Sequence, residues 1–299
     1  MTKTRFGVDQ HIGNTPLLKI SENLYAKLET VNPSGSIKDR MANAIISMAE
    51  MRGDLKPGGT IVEATSGNSG IAFSMLAAAK GYKMIVVMPR NMSEERKKMI
   101  RGFGAEIVEV GDGDFGGAVA KRDELVEKIG AFNPNQFANP DNPDCHYHTT
   151  GQEIIHQVLE SDEDALISAF VAGTGTGGTL NGVRRALIEV FPRIKIVAVE
   201  PTESSVMKGG EPGLHSIQGI GDGFIPPLVD MNHVDTVVAI SSADAIKRMK
   251  RLMSEKGLFV GISSGANVLA AERYIEDYRP EGIVVTILPD RGERYLSMF

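Results

Sequence analysis

In Pro33–Arg40, PSGSIKDR, Lys38 follows a Pro–Ser–Gly turn and stands at the start of a helical pattern. Most lysines are solvated surface charges. A lysine at the positive end of a helix dipole is disfavoured as a cation, and such a position favours the neutral amine that carbonyl chemistry requires. Three other segments concentrate hydrogen-bond donors where a strand hands over to a helix. Thr65–Gly70, TSGNSG, sets Thr65, Ser66, Asn68 and Ser69 around Gly67 and Gly70. One of these side chains would suffice as a helix cap, so the surplus suits a small anion such as a carboxylate. Gly173–Thr179, GTGTGGT, holds Gly173, Gly175, Gly177 and Gly178 among Thr174, Thr176 and Thr179. Backbone N–H groups at a helix N-terminus point at an anion that side chains would block, which reads as a phosphate cradle. Gly261–Gly265, GISSG, is a third such turn, where Ser263 or Ser264 could serve as an N-cap.

Gly173, Gly175 and Gly178 also satisfy G-x-G-x-x-G, and Glu200 ends the next strand pattern. An acid about 20 residues beyond the glycines is the usual partner of a dinucleotide ribose. Taken alone this motif points to NAD, a reading to be weighed against the rest of the chain.

The elements that must carry these turns alternate along the chain. Apolar runs read as buried parallel strands at Thr60–Ala64, Met84–Met88, Glu106–Val110, Leu166–Ala172, Lys195–Val199, Thr236–Ile240 and Ile283–Leu288. Helical patterns cover Ile37–Arg52, Gly70–Lys80, Ser93–Phe103, Gly116–Lys128, Gly151–Glu160, Thr179–Val190, Ser242–Lys256 and Ser264–Tyr278. That alternation predicts α/β architecture with right-handed crossovers. Phe132–Pro143, FNPNQFANPDNP, reads as a loop crossing between two domains, and Pro201–Pro227 as a long functional or mobile loop.

Composition narrows the function classes. The 299 residues carry 32 basic and 38 acidic side chains and a net charge of −6, spread without a basic stripe, which argues against nucleic acid or a membrane surface as partner. A single cysteine, Cys145, excludes an internal disulfide and a thiolate zinc cluster, and the histidines show no metal-site spacing. With no long apolar stretch and no secretory signal pattern at MTKTRFGVDQ, the expectation is a soluble, cytoplasmic protein. The 33 glycines are the unusual feature, and many fall on strand-to-helix junctions.

Taken in order, PSGSIKDR, EATSGNSG, GTGTGGT, GIGDGFIP and GISSGA resemble the cysteine synthase family, the O-acetylserine sulfhydrylases among the fold-type II pyridoxal phosphate enzymes. IGNTP (Ile12–Pro16), MPRNMSEER (Met88–Arg96), HTTGQEI (His148–Ile154) and GERYLS (Gly292–Ser297) extend the match over nearly the whole chain. The resemblance implies two lobes, each a mostly parallel twisted sheet flanked by helices in three αβα layers. The small mobile lobe would be residues 36–145, with the substrate carboxylate loop. The large lobe would be residues 1–35 plus 146–299, with the phosphate loop.

It also implies roles. Lys38 would carry pyridoxal 5′-phosphate and act as catalytic base, and Asn68 would bond the ring hydroxyl. Gly175, Thr176, Gly177, Gly178 and Thr179 would cradle the phosphate, and Ser263 would meet the pyridine nitrogen. Thr65, Ser66, Gly67 and Ser69 with Gln136 would hold the substrate carboxylate, and Gly219 would face the substrate amine. The implied reaction is β-replacement of O-acetyl-L-serine by sulfide through an aminoacrylate, giving L-cysteine. A homodimer, with serine acetyltransferase as a possible protein partner, is implied in the same way. Cystathionine β-synthase, cysteine desulfhydrase or serine dehydratase activity on the same scaffold stays open, as does a non-catalytic family member. Ile217–Phe224 lacks the arginine of phosphoserine-preferring branches, which favours the acetyl ester. Cys145 reads as a bystander, His146, His148 and His11 lie in loop or turn contexts, and Asp39 and Arg40 read as structural partners at the helix start.

Overall fold

A computed structural model describes residues 7–65 and 67–298 of the chain. In chain order its strands are β1 (Leu17–Lys19), β2 (Leu24–Leu28), β3 (Thr60–Ala64), β4 (Lys83–Pro89), β5 (Glu106–Val110), β6 (Ile167–Gly173), β7 (Lys195–Pro201), β8 (Thr236–Ile240) and β9 (Ile283–Leu288). The helices are α1 (Lys38–Arg52), α2 (Asn68–Lys80), α3 (Glu94–Gly102), α4 (Phe115–Ile129), α5 (Asp141–His146), α6 (Gln152–Ser161), α7 (Gly178–Val190), α8 (Ser242–Lys256) and α9 (Ile262–Tyr278). The chain divides into two units. The first comprises Met1–Ile12, Asn32–Asp141 and Glu293–Phe299, the second Gly13–Val31 and Asn142–Gly292.

In the first unit, β3, β4 and β5 form a parallel sheet in that order, with Val62 opposite Ile85 and Val87 opposite Val108. Val62 and Val87 are buried against Ala118 of α4, with Leu125 and Val126 packed around them. β-branched residues suit this pleated, covered surface. After α4 the chain returns beside β3: Val62 N–H donates to the Phe132 carbonyl at 2.9 Å, and Phe132 N–H to that of Thr60 at 2.8 Å. Helices α1, α2 and α4 stop on Gly53, Gly81 and Gly130, each left-handed with its N–H returned to the last turn. Ser93 and Asp114 cap α3 and α4 by accepting from Arg96 N–H and Gly117 N–H.

The second unit holds a six-stranded sheet in the order β1-β2-β9-β6-β7-β8. Only β1 with β2 is antiparallel, and the remaining pairs are parallel. Helix α9 packs on β9 and β6 and also on α8. The α8–α9 approach explains Gly265, because a Cβ there would lie 2.1 Å from the Ala245 carbonyl oxygen. Parallel sheets flanked by helices give the expected α/β class.

The structure corrects several local expectations. Strands β1 and β2 lie outside the strands expected from the sequence, and Lys27 is the reason for β2. Its side chain is fully buried, with Nζ 2.7 Å from Glu153 Oε2 and 2.8 Å from Gln157 Oε1. The proline-rich loop ends early, since α5 starts at Asp141 and runs through a π-helical turn, Tyr147–Gly151, into α6. Pro143 falls in the first turn of α5, where a missing N–H is tolerated. Cys145 is therefore helical and buried, its thiol donating to the Asn142 carbonyl at 3.0 Å. The stretch from Pro201 holds two short 3-10 turns, Thr202–Ser204 and Val206–Lys208, before irregular chain resumes. No helix among the described residues is long and apolar enough to cross a membrane.

Candidate active site

Each unit carries a distinct set of site residues. In the first, Gly35 N–H closes onto the Asn32 carbonyl at 2.7 Å. Asp39, fully buried, accepts from Ser34 N–H at 2.6 Å and from the Ser34 hydroxyl. Asp39 thus ties the turn to α1, the structural role expected of it. Lys38 is the first residue of α1, partly buried, with its N–H on Ser36 Oγ at 3.3 Å.

Helix α2 packs beside α1 and opens on the TSGNSG loop. Gly67 N–H donates to Thr65 Oγ1 at 3.3 Å, and no side chain caps the helix. Ser66 lies outside the described residues. Ser69 is buried and donates from Oγ to Gln136 Oε1 at 2.5 Å, so two residues far apart in sequence meet at the α2 N-terminus. Gln136 reaches this point through Asn135, which takes a left-handed turn (φ 48°) that asparagine tolerates better than most residues. Behind it, Glu63 Oε2 accepts from Gln136 N–H at 3.3 Å and Oε1 from Ala64 N–H at 2.9 Å. Arg122 Nη1 stands 3.6 Å from Glu63 Oε1. Burial pushes the Glu63 carboxyl up to about 7, against the opposing pull of Arg122.

The second unit carries the glycine loop between β6 and α7. Here the glycines answer first to the protein's own packing. A Cβ on Gly175 would sit 2.3 Å from the Gly219 carbonyl oxygen, and one on Gly178 1.9 Å from Asn142 Oδ1. Gly177 (φ 86°) would meet Val229 at 2.4 Å, and Gly173 Ile220 at 2.8 Å. Close packing, the plainer explanation of the cluster, thus accounts for all four glycines. Capacity for an anion would rest on the donors that this packing leaves available. Thr176 Oγ1 accepts from Asn142 Nδ2 at 2.9 Å and from Gly178 N–H at 3.3 Å. With both acceptor sites engaged, its proton remains to donate. Thr174 Oγ1 is buried with no hydrogen-bond partner, and Gly177 supplies no side-chain cap to α7. Thr179 Oγ1 lies 3.3 Å from His146 Nε2, whose Nδ1 is 2.8 Å from Thr150 Oγ1. His146, expected in a loop or turn, is instead the last residue of α5 and a neighbour of the glycine loop.

Gly219 (φ 90°) belongs to a segment laid over that loop, with Gly221 N–H on the Thr174 carbonyl at 3.1 Å. Glu200 takes no part. Its carboxylate accepts from Met207 N–H at 2.8 Å and Lys208 N–H at 3.2 Å, which is a turn cap and not a ribose site. In GISSG neither serine caps α9: Gly261 holds the N-cap position without a side-chain bond. Ser263 is buried in the first turn, and Ser264 Oγ is buried without a partner. Asn267, one turn on, accepts from Gly173 N–H at 2.8 Å and donates to the Ile287 carbonyl at 2.9 Å, tying α9 to the glycine loop.

Taken unit by unit, the groups present suit parts of pyridoxal phosphate. The α7 N-terminus with the Thr176 hydroxyl and the orphaned Thr174 hydroxyl suits a phosphate dianion. Lys38 and Asn68 supply an amine and an amide at two neighbouring helix starts.

Comparison with known proteins agrees. The model of the pyridoxal-phosphate dependent enzyme family matches residues 8–290. A cysteine synthase of Staphylococcus aureus (strain Mu50 / ATCC 700699) is 45% identical over 298 residues, covering 97% of this chain and 95% of that protein. A hydrogen sulfide-producing enzyme of Fusobacterium nucleatum superposes with a TM-score of 0.92 at 40% identity, over 97% of this chain and 89% of that one. A cysteine synthase (OASS) of Entamoeba histolytica does so with a TM-score of 0.90 at 38% identity, over 99% and 91%. On these grounds the chain belongs to the pyridoxal-phosphate dependent enzyme family, among the cysteine synthases.

Proposed function

We propose that the chain makes L-cysteine from O-acetyl-L-serine and sulfide by β-replacement. Similarity to cysteine synthases along nearly its whole length carries this assignment. The first unit adds to it: Lys38 and the Ser69–Gln136 pair stand at the N-termini of adjacent helices in one body. Pyridoxal phosphate, when bound, supplies the electron sink for a carbanion at the substrate Cα. Lys38 Nζ removes the Cα proton and later returns it. Thr65, Ser66, Gly67, Ser69 and Gln136 hold the α-carboxylate, with Gly219 toward the amine. Ser263 would offer the ring nitrogen a neutral hydroxyl, which would leave it largely unprotonated. A leaving group as ready as acetate tolerates the weaker pull.

The test is a competition on the loaded enzyme among O-acetylserine, O-phosphoserine and serine, each with sulfide or homocysteine. Fastest L-cysteine formation from O-acetylserine and sulfide is the expected result, and preference for serine with homocysteine reassigns the chain. A second activity, sulfide release from L-cysteine, draws on the likeness to the Fusobacterium enzyme. Incubation with L-cysteine alone decides it by sulfide yield. The proposal is completed by a cytoplasmic homodimer that binds serine acetyltransferase. Sedimentation and co-purification with that enzyme test both associations.

A further inference from the structure

Arg294 lies in the paired 3-10 turns of Gly292–Met298, within the GERYLS segment. Its side chain has no solvent exposure. Nε donates to Asn68 Oδ1 at 2.7 Å, and Nη2 donates to the Ser34 carbonyl in the turn before Lys38. Nη1 meets Glu293 Oε1 at 3.2 Å. One buried cation therefore holds both the asparagine of the TSGNSG loop and the turn that presents the lysine.

A guanidinium has donors only and stays protonated throughout the working pH range. The end of the Asn68 amide that faces it must be the oxygen, because the flipped amide would set N–H against N–H. The other end is then Nδ2, a donor and not an acceptor. Arg294 is itself held: Tyr295, buried beside it, accepts from Arg96 Nη2 at 3.1 Å, with that guanidinium 5.3 Å from the ring centroid. Ser297 N–H donates to Glu95 Oε1 at 3.1 Å. Both partners come from MPRNMSEER, so two segments without an assigned role brace a third.

Resting on the assignment of Asn68 to the cofactor's ring hydroxyl, we propose that Arg294 is a positioning residue that sets the Asn68 amide with Nδ2 toward the ring oxygen and places a buried positive charge behind it. The charge favours the ionised ring oxygen, and the amide orientation supplies its hydrogen bond.

The test follows the visible absorbance of cofactor-loaded wild type, Arg294→Lys, Arg294→Ala, Asn68→Ala and the Arg294→Ala/Asn68→Ala double variant across pH, together with cofactor affinity and apoprotein melting. Arg294→Ala and Asn68→Ala should each move the absorbance midpoint upward by roughly half a unit or more. Each should weaken cofactor binding about 5-fold, the scale of one hydrogen bond. The double variant should be no worse than Asn68→Ala. Arg294→Lys, which keeps the charge but cannot reproduce the fork, should melt nearer wild type and still shift the midpoint. Lower melting without a midpoint shift in both Arg294 variants, or additive losses in the double variant, overturns the proposal. A shift in Asn68→Ala with none in Arg294→Ala overturns it while leaving the Asn68 assignment intact. A wild-type midpoint and affinity in Asn68→Ala overturns both.

Discussion

The carboxylate of Glu63 accepts a hydrogen bond from the main-chain N–H of Gln136, joining the end of β3 to a residue 73 positions later. The same Gln136 receives the Ser69 hydroxyl, so the state of Glu63 reaches the TSGNSG loop. With its pKa raised to about 7, Glu63 takes up a proton as pH falls below neutrality, and one oxygen then ceases to accept. The KM for the amino-acid substrate should rise below about pH 7 in the wild type. In Glu63→Gln it should be raised and flat over the same range. Steady-state kinetics from pH 6 to 8.5 check this.

The same shift has a stability consequence of defined sign. A carboxyl whose pKa is higher folded than unfolded binds more protons in the native state between 4.5 and about 7. Stability therefore falls as pH rises through that window and levels above it. The fall attributable to Glu63 is at most about 3 kcal/mol, and it should vanish in Glu63→Gln. Urea unfolding of both proteins at pH 5 and pH 8 measures the difference.

Lys38→Ala should lower turnover by at least about 10²-fold, the low end for a lost general base. Product formation is to be measured with free pyridoxal phosphate added, so that weaker cofactor retention does not masquerade as lost chemistry. Wild-type turnover in that variant would sink the assignment.

Gly175 and Gly116 should respond oppositely to alanine. A Cβ at Gly175 would fall 2.3 Å from the Gly219 oxygen, whereas none at Gly116 meets anything within 4 Å. Gly175→Ala should destabilise by about 1–3 kcal/mol, as overpacking does, and should weaken cofactor binding. Gly116→Ala, inside α4, should stabilise by about 0.5–1 kcal/mol. Thermal melts of the apoproteins with cofactor titrations distinguish the two.

Asn267→Ala removes an acceptor for Gly173 N–H and a donor for the Ile287 carbonyl in a side chain only 1% exposed. Leaving such groups unpaired costs about 1–3 kcal/mol. A lower melting temperature together with weaker cofactor binding is expected, because the bond tethers the glycine loop to α9.

Short-range pattern carries much of the strand placement. Strands β3, β5, β8 and β9 fall where apolar, β-branched runs end at turn residues. Where a residue's role depends on a partner distant in sequence, periodicity carries no trace of it. Lys27 interrupts the apolar pattern of β2, and its burial makes sense only with Glu153 beside it. Asn142 and His146 reach the glycine loop from α5, in a stretch whose prolines read as loop. Arg294 meets Asn68 across 226 positions. A faint signal did exist in the lone glutamate of TIVEA and the lone asparagine of GANVLAA, since a polar residue inside an apolar run has a buried partner to find.

The path of the C-terminal segment bears on synthesis. Tyr295 meets Arg96 across 199 positions, and the first unit is completed by Glu293–Phe299, after the last residue of the second unit. A growing chain must therefore hold Asn68 and the lysine turn unbraced while Asn142–Gly292 is translated. At about 5–20 residues per second that interval lasts on the order of ten seconds. Nascent chains stalled before Arg294 would carry a first unit still open to proteases and chaperones, and release of the final turns would be the event that closes it.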